Sequence, residues 1–184
     1  MTRTITRSYD DYAVATAVVE DLGRAGFSDS EISVIGPRND DGDDSNAGEG
    51  AGIGAGVGGA AGLLAGLGMI AIPGIGPVVA AGWLAATAAG AAAGAAAGGI
   101  IGAMTSAGVD EREAHVYAES VRRGGSVVSV RAADGRVAEA EAIMDRATPI
   151  DMVQRRADYE REGWTQFDAN ATPYVRPTVG SSAP

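Results

Sequence analysis

At both ends of the chain apolar residues recur with the period of a strand or a helix, whereas the middle has no charged residue at all. Residues 2–8 (TRTITRS) alternate as a short strand. Asp10 is a candidate N-cap, and Ala15, Val18, Val19 and Leu22 then recur on one helix face. Gly23 and Gly26 close that helix, and Glu31 to Gly36 (EISVIG) reads as a strand rich in β-branched residues. Towards the other end, Asp110 and Glu113 have capping-box spacing. They open a helix to Arg123 with Ala114, Tyr117 and Val121 on one face, stopped by Gly124 and Gly125. Val127 to Ala132 (VVSVRA) is the strongest strand signal. Arg136 to Ala147 is a helix with Val137, Ala140, Ile143 and Met144 on its apolar side. Pro149 ends it, and Ile150 to Val153 reads as a short last strand.

The middle obeys a different rule. From Ala51 to Val109 no residue is charged, and small residues recur every fourth position. Gly54, Gly58, Gly62 and Gly66 form one series; Gly82, Ala86, Gly90, Gly94, Gly98 and Gly102 form another. Residues four apart share a helix face, so each series is a stripe that lets another backbone approach closely. Pro73, Gly74, Gly76 and Pro77 break the run with a turn at 73–77. The pattern therefore predicts a glycine-zipper helical hairpin. Its first arm, Ala51 to Ile72, spans about 33 Å, close to the hydrocarbon thickness of a bilayer, and its second, Val78 to Gly108, about 46 Å. Trp83, just past the apolar turn, suits a membrane interface. Ala85 to Gly99 holds only Ala, Gly and one Thr, so that stretch inserts poorly alone and needs a partner helix.

These elements divide the chain into five parts. Residues 1–36 are a first βαβ half, 37–50 an acidic linker, 51–109 the hairpin, 110–168 a helix plus a second βαβ half, and 169–184 a disordered tail. The fold class expected is α+β: a ferredoxin-like split βαβ domain interrupted by an inserted Ala/Gly-rich hairpin.

Composition narrows the function classes. The 184 residues carry a net charge of −10 with no basic patch, which argues against nucleic acid as a partner. All basic residues are Arg, scattered along the chain. There is no cysteine, which excludes disulfides, thiolate catalysis and cysteine-ligated zinc. The polar N-terminus is unlike a secretory signal. Gly54 to Gly59 matches GxGxxG, but an acidic loop precedes it and no acid follows until Asp110, so no dinucleotide cofactor is expected. The acidic loop Asn39 to Asp44 lacks EF-hand spacing. His115, the single histidine, lies four residues from Glu111 and from Glu119; a helix surface explains the trio better than a metal site. Asn170-Ala171-Thr172 has the glycosylation pattern without a secretory context. Tyr159, Trp164, Phe167 and Tyr174 concentrate aromatic surface near the C-terminal end, more suited to packing on the domain than to a partner. No catalytic residues, metal site, cofactor or small-molecule substrate emerge.

The flanking halves resemble bacterial heat-induced or general stress proteins of the YflT-like type. The likeness is carried by the first strand with Tyr9, by Asp21-Leu22-Gly23-Arg24-Ala25-Gly26-Phe27, and by Glu31-Ile32-Ser33-Val34-Ile35. The central AGLLAGLGMIAIPGIGPVVAAGWLAA and the later AHVYAESVRRGGSVVSVRA look like the glycine-zipper versions of that group. The resemblance implies a stress-associated protein without catalytic residues, often membrane-linked. The expected function is a non-enzymatic protein that forms homo-oligomers through its zipper. The hairpin would lie in or on the lipid bilayer of the inner membrane, with the α+β domain in the cytoplasm. The alternative is a soluble self-assembling structural protein with the zipper buried in a multimer.

Overall fold

The computed structural model describes residues 1–37, 68–72, 76–93, 99–171 and 174. They form an α+β unit around one antiparallel sheet. Strand β1 is Thr2–Tyr9, helix α1 Tyr12–Arg24, β2 Ile32–Pro37, β3 Gly68–Ile72 and β4 Gly76–Ala81. Helices α2 (Gly82–Ala93), α3 (Gly99–Ser106) and α4 (Glu111–Arg122) follow. Strand β5 (Ser126–Ala133), a 3₁₀ turn, α5 (Val137–Arg146) and α6 (Met152–Arg161) complete the order.

The sheet order is β1-β5-β2-β4-β3, antiparallel throughout. Because β5 is antiparallel to both β1 and β2, those two strands run the same way with β5 between them. Alternate residues face opposite layers. Ile5, Tyr9, Ile32, Val34, Val128 and Val130 join Val18, Val19 and Leu22 of α1 and Ala140 and Met144 of α5 in one buried cluster. Ile35, Val78, Ala80 and Val127 join Leu84 of α2, Ile100 and Met104 of α3, and Ala114 and Ala118 of α4 in the other. Strands covered on both faces read as continuous apolar runs, which is why VVSVRA and ISVI carry few polar positions.

Helix α1 forms where its apolar spacing predicts. Its N-cap is Asp11 rather than Asp10: Asp11 Oδ1 accepts from Ala13 N–H at 2.7 Å. Phe27, 1 % exposed, donates its N–H to Leu22 O at 3.1 Å and tucks into the first cluster.

Around its predicted turn the central run forms strands where its glycine spacing predicts a helical hairpin; residues 51–67 lie outside the described residues. Gly68–Ile72 and Gly76–Ala81 are strands, with Ile72 opposite Gly76. Gly76 and Pro77 therefore open β4; Pro73 and Gly74 lie outside the described residues. The turn signal marks a chain reversal between strands, since short apolar runs fit either period and β2 supplies a partner edge. The long second arm is replaced by β4 and two shorter helices, α2 and α3, which pack against each other. No helix among the described residues is long and apolar enough to cross a membrane.

The expected last strand at Ile150 to Val153 is also absent. Asp151 Oδ1 accepts from Val153 N–H (2.9 Å) and Gln154 N–H (3.1 Å), which starts α6 at Met152. Only Ile150 N–H reaches β1, donating to Ser8 O at 2.8 Å. Ala169, placed by sequence in a disordered tail, packs against the second cluster. The acidic linker beyond Pro37 lies outside the described residues.

Candidate functional site

Four of the zipper positions, Gly82, Ala86, Gly90 and Gly102, lie among the described residues. Gly54, Gly58, Gly62, Gly66, Gly94 and Gly98 lie outside the described residues. Gly82 is a corner, not a helix-packing position. Its φ is +83°, and a Cβ there would sit 2.2 Å from Ile32 O and 2.8 Å from Ser33 Cα. Only glycine fits where β4 turns into α2 against the β2 backbone. Ser33 Oγ fastens the corner, donating to Ala81 O (2.8 Å) and accepting from Leu84 N–H (3.2 Å). Ala86 and Thr87 of α2 are exposed, and Gly90 lies one turn beyond Ala86. Gly102 of α3 faces open space: no described atom lies within 4 Å of its would-be Cβ. Trp83, expected at a membrane interface, packs into the second cluster with the Arg131 guanidinium 3.8 Å above its ring.

A charged cluster at the C-terminal end of α4 was not foreseen. Glu119, 1 % exposed, accepts from Arg122 Nη2 at 2.5 Å and from Arg123 Nε at 2.6 Å. Burial pushes the Glu119 carboxyl up, but the hydrogen bonds and charges of Arg122 and Arg123 outweigh it and hold the group below the usual carboxylate range. Arg123 also pairs with Glu162 beyond α6 and lies 4.2 Å over the Tyr159 ring. Arg155 of α6 pairs with Asp10 at 2.9 Å, which explains why Asp10 is free of capping duty. Asp10, Arg123, Arg155, Asp158, Tyr159, Glu162 and Tyr174 border an open cleft of about 440 Å³. The buried Tyr159 hydroxyl has no hydrogen-bond partner among the described residues; burial raises its pKa, opposed by the charges of Arg155 and Arg123.

A second cleft of about 280 Å³ lies beside His115, bordered by Glu111, Arg112, Arg156, Trp164, Thr165 and Gln166. His115 Nδ1 accepts the Phe167 N–H at 3.2 Å. The Glu111–His115–Glu119 trio does not assemble, because Glu119 is turned inward onto two arginines. Among the described residues no group of three His, Cys, Asp or Glu side chains is placed to hold a metal ion.

What the first cleft can do chemically follows from its pairing. Arg123 and Arg155, the cations that border this cleft, both face carboxylates among the described residues, so the cleft is internally neutralised. The buried carboxylate holds two guanidiniums at the end of α4, and Arg123 carries the link on to Glu162 just past α6. Sequence spacing did contain part of the signal: Glu119 lies four residues from Arg123 as well as from His115, and the cations win a buried acid. The link to Glu162 had no local signal. No protein-family model, curated protein or solved structure matches this chain.

Proposed function

We propose that this chain is a non-enzymatic, self-associating protein of the general stress type. A small α+β body would carry an uncharged Ala/Gly segment through which copies meet. One observation carries the reading. Helix α2 starts among buried Trp83, Leu84 and Ala85, then emerges with Ala86 and Thr87 exposed and no charged or large residue after Leu84. A helix that exposes Ala86 and Thr87 and carries no charged residue lacks the polar face that keeps ordinary surface helices monomeric. Small residues at four-residue spacing suit close backbone approach. The stress assignment rests on the YflT-like resemblance of the flanking halves. The order β1-β5-β2, with α1 and α5 on one face, supports reading the body as a ferredoxin-like split βαβ unit. In that reading the Ile150 contact stands where the fourth strand would pair.

Two settings fit self-association. The uncharged run from Ala51 to Val109 supports an inner-membrane surface. The β3–β4 hairpin favours assembly without lipid, because it commits residues 68–72 and 76–81 of that run to the sheet.

The test is the mass of the purified full chain without detergent, by light scattering after gel filtration, beside an Ala86→Arg variant. Ala86 is exposed, so the variant is expected to melt like the parent while its oligomer dissociates. A monomeric parent, or a variant of unchanged mass, overturns the proposal. Carbonate-washed membranes from cells decide the setting: retention supports lipid, release supports the soluble assembly.

A further inference from the structure

The single histidine sits where protonation would undo a tertiary contact. The chain beyond α6 crosses back over α4 as a strap. Trp164 borders the cleft beside His115, Phe167 is 7 % exposed within the second cluster, and Ala169 packs on the same cluster. Further on, the Tyr174 ring lies 5.5 Å from the Arg122 guanidinium and 5.2 Å from that of Arg123. Among the described residues between these anchors one polar contact ties the strap backbone to α4: Phe167 N–H donates to His115 Nδ1 at 3.2 Å.

That bond fixes the state of the ring. An imidazole nitrogen accepts a hydrogen bond only while it carries no proton, so this contact requires Nδ1 of His115 to be unprotonated. Protonation puts an N–H on Nδ1 and turns the contact into donor against donor. The charged groups facing the ring are Glu111 and Arg112 of α4 and Arg156 of α6; Trp164, Thr165 and Gln166 of the strap bring none. Glu119, one turn on, is engaged by Arg122 and Arg123, and Asp168 accepts from Asn170 N–H. Among the described residues Phe167 N–H makes no second hydrogen bond.

We propose that His115 is a pH-operated latch: neutral, it holds the strap at Phe167, and protonated, it releases it. The sign follows from the acceptor role. Latching is complete where the imidazole is neutral and is lost where it is protonated at low pH. Release frees Phe167 to leave a cluster it shares with Ile100, Ala103, Met104, Ala114 and Ala118, and so uncovers apolar surface between α3 and α4. Tyr174 rests on the Arg122 and Arg123 guanidiniums further along, so the opening is confined to the middle of the strap. The latch stands independently of self-association.

The experiment is amide exchange at Phe167, read by NMR on the full chain at pH 7.5 and pH 5 and corrected for intrinsic exchange. Protection is expected to fall about tenfold at pH 5, the scale of one lost hydrogen bond. In His115→Asn the amide oxygen takes the place of Nδ1 as an acceptor that does not titrate, so protection should stay high at both values. In His115→Leu it should be low at both. Unchanged protection in the parent across this range overturns the latch. So does a fall in His115→Asn equal to that of the parent, which would place the titrating group elsewhere.

Discussion

Gly82 and Gly102 belong to one series of small residues, yet replacing each with alanine should move stability in opposite directions. At Gly82 an alanine would adopt φ +83°, which costs an L-residue about 1–2 kcal/mol. Its Cβ would also lie 2.2 Å from the Ile32 carbonyl oxygen and 2.8 Å from Ser33 Cα. Both are backbone atoms of a strand paired on each side, so neither can swing away as a side-chain tip would. Relieving that overlap adds about 1–3 kcal/mol. Gly82→Ala should therefore destabilise the fold by about 2–5 kcal/mol. At Gly102 the backbone is helical and no described atom lies within 4 Å, so alanine should gain about 1 kcal/mol of helix propensity. For a chain of this size 1 kcal/mol moves the melting temperature by about 2–4 °C. Urea unfolding followed by circular dichroism should put the two variants on opposite sides of the parent. A Gly82→Ala protein within about 0.5 kcal/mol of the parent refutes the corner argument, and a Gly102→Ala protein that loses stability refutes the open face of α3.

Glu119→Ala leaves Arg122 and Arg123 without their shared acid and should cost about 3–5 kcal/mol, measurable by the same unfolding titration. Because the Glu119 carboxyl is held below its ordinary range, its contribution is full at neutral pH and is lost as pH falls through that lowered value. The stability gap between the parent and Glu119→Gln should therefore be widest at pH 7 and close in strong acid; a gap independent of pH would contradict the pairing. Tyr9→Phe removes the hydroxyl that donates to Met144 O at 3.0 Å, fully buried between β1 and α5, and should cost about 1–2 kcal/mol by chemical denaturation.

The parts of this fold legible in the sequence are those where burial on one side imposed a period. Val18, Val19 and Leu22 gave α1, and Val137, Ala140, Ile143 and Met144 gave α5, within a residue or two at each end. The strands β2 and β5 announced themselves by β-branched density. The β3–β4 hairpin stayed hidden because glycine and alanine dilute any strand period, and absence of charge reads equally as a buried sheet or a zipper helix. Strand β2 decides between them by offering an edge, a fact no local window contains. Helix α6 was hidden by the short apolar start Ile150 to Val153, although Arg156 and Glu160, four apart and paired at 2.7 Å, carried a helical signal. The arginine–glutamate cluster joins residue 123 to residue 162, a separation at which spacing rules are silent.

The same contrast explains why the second face of the sheet needs a strap. The first face is covered by α1 and α5, whose buried sides bring valine, leucine, isoleucine and methionine. The second face is covered by α2, α3 and α4; α2 and α3, drawn from the Ala/Gly run, bring Trp83, Leu84, Ile100 and Met104 among small residues. Further large side chains complete the layer at interior density. Tyr117 comes from α4 and Phe167 from beyond α6. A face sealed by a residue so distant in sequence depends on whatever tethers that residue, and here the tether includes the single histidine of the protein. The small-residue composition of α2 and α3 thus makes the cover of this face rest in part on the Phe167 contact with His115.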